Sequence, residues 1–506
     1  MTSRYSKILK KGTALCYTVL FLFYFHMAGA EVQSVFYFSQ PCIEAQKHIA
    51  ALRLTKAQQI LTEEKKAHPN NAAIGFLENY IDFYRIATSL DFSTFKAMDQ
   101  NKSQRFEAAK NIPETSPYRL YTQSEMYLQF AFAKAMNEEF VSAMLDFRSA
   151  YQLAVENQKK FPSFKQSAKT VGMFKALLGT TGKSYKWVLS VAGLKGNFDE
   201  GMGLLENYFD TELSDEFLLD KQTATFYYVL LHLNFGDKQL AWKFCEQRTR
   251  DYATNMMSNY LRGYTGMRTA QKEEAINVLQ SRPKSSDYEP FAALEYYFAL
   301  CKLYRLDADA DIYFKHFISV NKNKVLTKEA YKRLSWFYLV NNDEEKFRIY
   351  YGMMKRYGGS QNEDDKNLQR EISANTPHDV IVLKSRLLAD GGYYAKAEET
   401  IRLRPADQFA SGYQRLEYYF RYARILQEQN KFSKATEYYQ LVIKSSPDNT
   451  PYHFAPFANV YVGQIYLKLG FTQMAKTYFV NAAKYKKAEY IETAEIRAGK
   501  ELQSLK

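Results

Sequence analysis

The six residues from Gly179 to Ser184, Gly-Thr-Thr-Gly-Lys-Ser, have the composition of a phosphate-binding loop, in which backbone N–H groups and a lysine hold phosphate oxygens. Such a loop needs a glycine five residues before its Gly-Lys pair, and Leu177 occupies that position. No buried strand leads into the segment, so we interpret it as a glycine turn that ends a helix and leaves Lys183 exposed. The sequence therefore predicts no nucleotide site here.

Three alternating aspartates, Asp307, Asp309 and Asp311, have the spacing of the oxygen ligands in a calcium-binding EF-hand loop. Two required positions are wrong, because Ile312 replaces the glycine of the sharp turn and Ile318 replaces the bidentate glutamate. We predict instead a polar turn before a helix, with the acids near the positive end of that helix.

The rest of the sequence has no pattern of catalytic or metal-binding residues. No histidine after residue 30 has another within four positions, which argues against zinc-binding helices and fingers; these histidines are residues 48, 68, 232, 316, 378 and 453. The Gly-x-Ser-x-Gly elbow of hydrolases is also missing. Paired acids such as Glu344-Glu345 and Asp364-Asp365 lie in polar segments typical of solvated turns. We predict a protein that is not an enzyme and has no cofactor or metal, while a hydrolase built from residues distant in sequence stays open.

A repeated pattern of small and aromatic residues indicates the fold. Ala423 and Ala435 are twelve residues apart, and Gly463 and Ala475 repeat this spacing. Aromatic residues flank the second member of each pair: Phe432 and Tyr439 in one copy, Phe471 and Phe479 in the other. This arrangement suits two helices packed through a short turn. Further copies are centred on Ala57 and Ala143, with weaker ones between Leu189 and Ala397 and an additional hairpin over about Ala72 to Met98.

Helical periodicity extends from about Pro41 to Leu502 without strand-like alternation. Successive turns lie roughly 35 to 45 residues apart, as in stacked repeat arrays. The sequence therefore predicts an all-α solenoid of about ten to twelve antiparallel helix hairpins, in which each hairpin buries its apolar face against its neighbours.

The last two units resemble the tetratricopeptide repeat (TPR) family, whose 34-residue hairpins usually act as protein-interaction scaffolds. The matching positions are Ala423, Phe432, Ala435, Tyr439 and Pro447 in one unit and Gly463, Tyr466, Ala475, Phe479 and Ala482 in the other. The resemblance implies a right-handed superhelix whose groove binds a partner, with these residues serving stability. The chain departs from the family by spacing its last units more widely and by losing most consensus positions between about Lys221 and Lys384.

A glycine-rich segment from about Phe164 to Phe209 resembles the middle of a eukaryotic TPR family, the tetratricopeptide repeat 39 type, which includes an inclusion-body-clearance protein of the outer mitochondrial membrane. The residues that carry this resemblance are Val171-Gly172-Met173-Phe174 and the run from Val191 to Phe198. It implies shared architecture more than shared location, because that family faces the cytosol. It also leaves a membrane-associated adaptor open as an alternative.

Adjacent aromatic residues recur along the predicted helices, as at Tyr418-Tyr419 and Tyr438-Tyr439. Neighbouring residues on a helix point about 100° apart, so one ring can pack in a seam while the next reaches the groove. Arginines nearby could recognise carboxylates with their planar guanidinium groups. We predict that the binding residues include Tyr418, Arg415, Arg421, Arg424 and Tyr438, and that they grip a peptide or stack against sugar rings.

The N-terminus has the pattern of a signal peptide. Four basic residues precede an acid-free apolar stretch from Thr13 to Met27, which ends in a small-x-small cleavage site at Ala28-Gly29-Ala30. The stretch is shorter than the roughly 20 residues that span a bilayer. Its removal lowers the net charge from +13 to +9, which fits a lysine-rich exterior. Three cysteines remain, which allows one disulfide and no disulfide framework.

These observations predict an exported, non-catalytic scaffold that binds a protein or an extended peptide in the cell envelope. We expect it in the periplasm or on the periplasmic face of the outer membrane, with secretion as an alternative, and we expect no nucleic-acid partner. An envelope glycan or another envelope component is the alternative ligand. The predicted segments are 1–30 signal peptide, 31–220 N-terminal hairpins with the glycine-rich part, 221–384 degenerate repeats and 385–506 C-terminal repeats.

Overall fold

The computed structural model describes residues 33–89, 93–180, 196–211, 214–321, 326–357, 378–409 and 412–505. In these residues the regular structure is α-helical, apart from two short 3₁₀ turns and a single β-bridge between Val35 and Asn71. The prediction of an all-α fold is therefore confirmed. The predicted signal peptide lies outside the described residues.

The helices follow one another as antiparallel pairs. In the first half of the chain they are α1 Gln40–Ala50, α2 Leu54–Ala67, α3 Ala72–Ser89, α4 Ser93–Gln100, α5 Lys102–Lys110, α6 Tyr118–Met136, α7 Phe140–Lys160, α8 Gln166–Gly179, α9 Phe198–Phe209, α10 Leu218–Phe235 and α11 Lys238–Arg248. In the second half they are α12 Met256–Arg268, α13 Lys272–Gln280, α14 Ala292–Arg305, α15 Ala310–Val320, α16 Thr327–Val340, α17 Glu344–Arg356, α18 Val380–Asp390, α19 Tyr394–Ile401, α20 Gly412–Glu428, α21 Phe432–Lys444, α22 Phe454–Lys468, α23 Thr472–Ala482 and α24 Ile491–Ser504.

The described part of the chain thus holds eleven helical units, one of which, α3 to α5, has a divided second helix, and α24 follows them as a single helix. This agrees with the predicted ten to twelve hairpins. The expected hairpin near Ala72 to Met98 is α3 with α4. Proline follows two helices where the sequence predicts their ends, because α2 stops at Ala67 before Pro69 and α7 stops at Lys160 before Pro162.

Small residues let the paired helices approach. Ala423 of α20 and Ala435 of α21 are both fully buried, as is Ala475 of α23. A Cβ added to Gly463 would come within 2.5 Å of the Phe479 ring, so the second unit packs glycine against an aromatic where the first packs two alanines. The packing role predicted for the small and aromatic positions is therefore confirmed.

The first helices of successive hairpins form a continuous inner layer. From α10 onward, each first helix contacts the first helix of the next hairpin, in the order α10, α12, α14, α16, α18, α20, α22 and α24. Among the second helices from α11 onward, all except α17 pack between their own first helix and the next one. In a curved stack the elements on the inside lie closer together, so the first helices line the inner face of the solenoid.

The solenoid closes on itself at the turn after α1. Three backbone carbonyls of this turn accept hydrogen bonds from the middle of the chain: Ala50 from the Gln222 side chain at 2.9 Å, Ala51 from the Met256 N–H at 3.4 Å and Leu52 from the Glu289 N–H at 2.7 Å. In addition, the Gln46 side chain donates to the Glu216 carbonyl at 2.9 Å. The first hairpin therefore packs against α10, α12 and the segment before α14.

The C-terminal hairpins also lie against the middle of the chain. Lys272 donates a 2.8 Å hydrogen bond to the Gly392 carbonyl, and the Tyr393 hydroxyl donates one of the same length to Glu273. Further along, the Lys500 ammonium of α24 lies 4.7 Å from the Phe198 ring of α9. These contacts join the C-terminal hairpins to the hairpins that contain Phe198 and Lys272.

A buried charged cluster joins α6, α8 and α10. The Lys169 ammonium, with 0% exposure, lies 2.7 Å from Glu125 and 2.8 Å from Asp220. Tyr121 donates to Asp220 at 2.6 Å, and Thr170 donates to Glu125 at 2.5 Å. The cluster holds two carboxylates and one ammonium without exposure to solvent, so we assign it to structure rather than binding.

Two segments that the sequence singles out are structural. Asp307 accepts hydrogen bonds from Arg305, and Lys302 lies 3.0 Å from both Asp307 and Asp309 at the turn before α15, as expected for a polar turn. Helix α8 ends at Gly179, as the glycine-turn interpretation requires, whereas Lys183 and Ser184 lie outside the described residues.

The helices of the described residues can be compared with the requirements for a membrane span. None of the helices in this part of the chain is long and apolar enough to span a bilayer.

Cys42, Cys245 and Cys301 are buried free thiols. Burial raises the pKa of Cys245 to about 11 and that of Cys301 to about 12, so both thiols stay protonated and unreactive at neutral pH.

Candidate functional site

A cluster of charged side chains lies on the inner layer where α16, α18 and α20 meet. Its centre is Glu417 of α20, which is 3% exposed. Arg421 and Arg386 lie 3.6 and 3.8 Å from one of its carboxylate oxygens, and His378 lies 3.8 Å from the other. We call these four residues the Glu417 cluster.

In the Glu417 cluster an ionised carboxylate lies beside positively charged side chains. Burial alone would raise the pKa of Glu417, but the neighbouring His378 and the positive charges of Arg421 and Arg386 lower it to about 2. Burial and the positive charge of Arg386 together lower the pKa of Arg421. The ionised Glu417 carboxylate therefore lies between two arginines, and Asp390, 3.8 Å from Arg386, is a second carboxylate beside them.

The arginines of this cluster are not saturated by hydrogen bonds. Their distances to Glu417 exceed those of ordinary hydrogen bonds. The Nε atoms of Arg386 and Arg421 are both buried and have no hydrogen-bond partner among the described residues. A buried donor without a partner is costly, so these two guanidinium groups are suited to bind an additional anion.

A second positive region lies further along the inner face. Desolvation lowers the pKa of Lys238 at the start of α11, and the positive charges of Arg268, Arg424 and Arg497 lower it further, against an opposite effect of Glu428. Lys238 is nevertheless exposed to solvent. This combination fits a lysine within a concavity, and we call Lys238, Arg268, Arg424 and Arg497 the inner cation group.

Aromatic rings support these arginines. Arg424 lies 4.1 Å from the centre of the Tyr461 ring, and Arg497 lies 5.4 Å from that of Phe457. In the Glu417 cluster, Arg386 lies 4.7 Å from the Trp336 ring. Stacking holds a guanidinium group flat, which suits it to recognise carboxylates or phosphates, although Arg424 already donates to Gln427 at 3.0 Å and to Glu428 at 2.7 Å.

The five predicted binding residues divide between two faces of the C-terminal hairpins. Arg421 belongs to the Glu417 cluster and Arg424 to the inner cation group. Tyr418 is only 4% exposed and packs against Phe409, whereas the half-buried Tyr438 packs against Tyr422 in the seam between α20 and α21. Arg415 donates to the Phe409 carbonyl at 3.1 Å. The structure thus brings two of the five together on the inner face, and ligand binding by any of them stays a prediction.

Several charged residues of the inner face were missed from the sequence. Arg386, Glu417 and His378 belong to the Glu417 cluster, and Lys238 and Arg497 to the inner cation group. A signal for some of them existed: arginines lie next to, or two residues before, the small residue of three first helices, as Arg333 does before Ser335, Arg386 after Ser385, and Arg421 and Arg424 around Ala423. By contrast, nothing in the sequence indicates that Lys238 lies near Arg424.

The charged side chains of this face can recognise an anion. The described residues contain no group of three histidine, cysteine or acidic side chains that could hold a metal ion. In the Glu417 cluster the single carboxylate is held ionised between arginines, which leaves it a poor proton donor at neutral pH.

Comparison with known proteins gives one sequence match and several structural ones. A search of curated proteins gave no match. Among solved structures, a monomeric mutant of IFIT1 with Gppp-AAAA is 12% identical, with 87% of this chain and 79% of that chain covered and a TM-score of 0.28. The TPR domain of P58(IPK) is 12% identical over 84% and 98% of the two chains, with a TM-score of 0.20. Naa15/Naa10 bound to HypK is 14% identical over 88% and 64%, with a TM-score of 0.24. Scores this low support no inference about shape or function.

The sequence match falls on the best-formed repeat. Residues 416–449 match the tetratricopeptide repeat family, which places α20 and α21 in one such repeat. These residues include Ala423, Ala435 and Tyr439, all fully buried in the seam between the two helices. Together with the array of helix pairs on either side, this match confirms the predicted resemblance. The chain therefore contains a tetratricopeptide repeat at residues 416–449, within a longer array of helix pairs.

Proposed function

We propose that the protein is an exported, non-catalytic scaffold that binds an acidic, extended segment of a partner protein along the inner face of its C-terminal hairpins. The observation that carries the proposal is the charge of this face. Glu417 lies between two arginines, and the positive charges of Arg268, Arg424 and Arg497 act on Lys238 in the inner cation group. TPR-type repeats are typical of protein-interaction scaffolds, which supports a protein ligand.

The spacing of the two clusters suits an elongated ligand. The Glu417 cluster lies at α18 and α20, and the inner cation group adds α11, α12 and α24. An extended peptide could place acidic side chains at both, while its apolar side chains contact the half-buried Tyr461. Because the arginines stand on rigid, packed helices, little ordering cost opposes binding.

Export is supported by the N-terminal sequence alone, with its basic residues, its short apolar stretch and the Ala28-Gly29-Ala30 site. In this proposal the mature chain starts at Glu31 and acts in the periplasm or at the outer membrane. Mass spectrometry of the protein isolated from its native cells tests this directly. A first residue of Glu31 supports export, and a chain that retains residues 1–30 contradicts it.

The ligand is tested with residues 31–506 and fluorescently labelled short peptides, one rich in glutamate and one rich in lysine. We expect saturable binding of the glutamate-rich peptide only, weakened by salt because exposed charges are screened. Arg424→Gln and Arg497→Gln should each reduce affinity by about tenfold, the effect of losing one charge-assisted hydrogen bond. Arg348→Gln is the matched control, since Arg348 lies on α17 with a side chain 75% exposed.

Equal binding of both peptides, or an equal loss in the Arg348→Gln control, would show that bulk charge and not the inner face is responsible. The natural partner can then be captured from an envelope extract with residues 31–506 as bait. Ala435→Trp serves as the control for a folded array, because Ala435 is fully buried between α20 and α21.

A further inference from the structure

A polar cavity of about 440 Å³ lies where the first hairpin meets the middle of the chain. Its walls come from three segments: the end of α1 with the following turn, helix α10, and the stretch from the end of α11 into α12. This volume is in the range of small-molecule sites. The cavity shares no residue with the Glu417 cluster or the inner cation group.

Four cations line this cavity, and one carboxylate opposes them. The cations are Lys47, Arg53, Lys221 and Arg248, and the acid is Asp251, which accepts a 2.8 Å hydrogen bond from Asn255. The lining therefore has a formal charge of +3. Acids outside the lining offset two of these cations, since Lys47 lies 3.7 Å from Glu44 and Lys221 lies 3.9 Å from Asp215, which leaves the two arginines to attract an anion.

The two arginines have no acidic partner among the described residues. Arg248 is stacked between aromatic rings, with its guanidinium carbon 4.4 Å from the centre of Phe209 and 4.6 Å from that of Phe244. Arg53 lies 5.8 Å from the Tyr288 ring, and its buried Nε has no hydrogen-bond partner in the described chain. Both guanidinium groups are thus positioned by rings, which leaves N–H edges for an anionic group of a ligand.

The remaining polar groups of the cavity are mainly acceptors. The hydroxyls of Thr225 and Thr249 already donate to backbone carbonyls, at 2.7 and 2.6 Å, so their free lone pairs can only accept. Gln222 donates one of its two amide N–H groups to the Ala50 carbonyl, and its buried Oε1 has no partner among the described residues. A ligand that satisfies these groups must supply hydrogen-bond donors as well as negative charge.

From this geometry we propose that the cavity binds a small acidic sugar or polyol, with its phosphate or carboxylate on Arg53 and Arg248 and its hydroxyl groups donating to Gln222, Thr225 and Thr249. The ligand bridges the first hairpin to α10 and α12. It therefore stabilises the closure of the solenoid at the turn after α1, because a ligand that binds only the folded state raises the stability of that state.

The test is calorimetric titration of residues 31–506 with glucose 6-phosphate, glucuronic acid, glucose and inorganic phosphate. We expect saturable binding of at least one of the two acidic sugars, at least about tenfold tighter than binding of glucose or inorganic phosphate. Preference between the two acidic sugars distinguishes a phosphate from a carboxylate. The bound sugar should also raise the unfolding temperature.

Arg53→Gln and Arg248→Gln should each weaken this binding by about tenfold or more, while Arg348→Gln, with the same charge change on α17, should leave it unchanged. Lys221→Gln removes a third cation of the cavity, whose side chain is 32% exposed, and should also weaken binding. The proposal is wrong if neither acidic sugar binds, if glucose or inorganic phosphate binds as tightly, or if Arg348→Gln has the same effect. Since peptide binding uses other residues, its outcome does not affect this test.

Discussion

The side-chain amide of Gln222 donates a 2.9 Å hydrogen bond to the carbonyl of Ala50, 172 residues earlier in the chain. Ala50 ends α1, and Gln222 lies in the first turns of α10. The next two carbonyls of the turn, those of Ala51 and Leu52, accept from Met256 and Glu289. The first hairpin is therefore fixed to the middle of the solenoid through its own turn, and the array cannot be a simple open spiral at this end.

Replacement of Gln222 by leucine should loosen this closure. It removes one hydrogen bond and leaves the Ala50 carbonyl without its partner, at a cost of about 0.5–1.5 kcal/mol. We expect a lower free energy of unfolding in urea and faster amide exchange at Met256, whose N–H donates to the same turn. Gln59→Leu, at an exposed position of α2, is the control. If amide exchange at Met256 responds equally to both variants, the contact does not hold the turn.

At Gly201, in the glycine-rich segment, two helices pack too closely for any side chain. A Cβ at this position of α9 would lie 2.2 Å from the backbone nitrogen of Ala176 and 2.5 Å from the carbonyl of Gly172. The backbones of α8 and α9 therefore touch at a point where no side chain fits. By contrast, a Cβ at Gly203, on the same helix, would meet nothing within 4 Å.

This difference makes a matched pair of variants. Gly201→Ala should destabilise the protein by about 1–3 kcal/mol, because the helices must separate. Gly203→Ala should be neutral or stabilise by up to about 1 kcal/mol, since alanine favours helix over glycine. Thermal and urea unfolding of both variants checks this, and equal effects would contradict the close approach at Gly201.

The sequence was a good guide to single hairpins and a poor guide to contacts between them. The spacing of Ala423 and Ala435 predicts a helix pair because the packing partners lie within one repeat. The inner cation group could not be predicted, since Lys238 approaches Arg424 only after the small rotations between successive hairpins have accumulated. The same reason hides the cavity between Arg53 and Arg248. The tyrosine pairs were ambiguous because a ring in a seam and a ring in a groove have the same spacing.

Lys169 should be essential for stability. Burial disfavours its charge, but Asp220 and Glu125 outweigh this effect and raise its pKa. Lys169→Met would leave two carboxylates together without a counter-charge, which typically costs about 3–5 kcal/mol. Lys159→Met, at an exposed position of α7, should have little effect.

The loss of stability caused by Lys169→Met should become larger as the pH rises. Burial raises the pKa of Asp220 even beside Lys169, and without the lysine the pKa of Asp220 would rise further. The folded variant then binds more protons than the unfolded chain, so its stability falls as pH rises above the ordinary carboxyl range. Unfolding temperatures near about pH 5 and pH 8 should show the larger loss at the higher pH. A loss independent of pH would mean that lost packing, and not charge, dominates.

The contribution of Glu417 to stability should instead become smaller as the pH falls. Its pKa falls from 4.5 to about 2 in the folded protein, so its carboxylate stabilises the fold above pH 4.5, and this contribution is lost as the pH falls toward 2. Glu417→Gln keeps the shape but removes the charge between Arg386 and Arg421, at a cost of about 1–3 kcal/mol near neutral pH. The difference between variant and wild type should shrink as the pH falls through that window, because the wild-type carboxyl then becomes neutral as well. Glu437→Gln, at an exposed position of α21, should show no such trend. Unfolding free energies of Glu417→Gln and wild type, measured between pH 4.5 and pH 2, test this prediction. A difference between the two proteins that stays constant over this range would mean that the charge of Glu417 does not stabilise Arg386 and Arg421 in the fold.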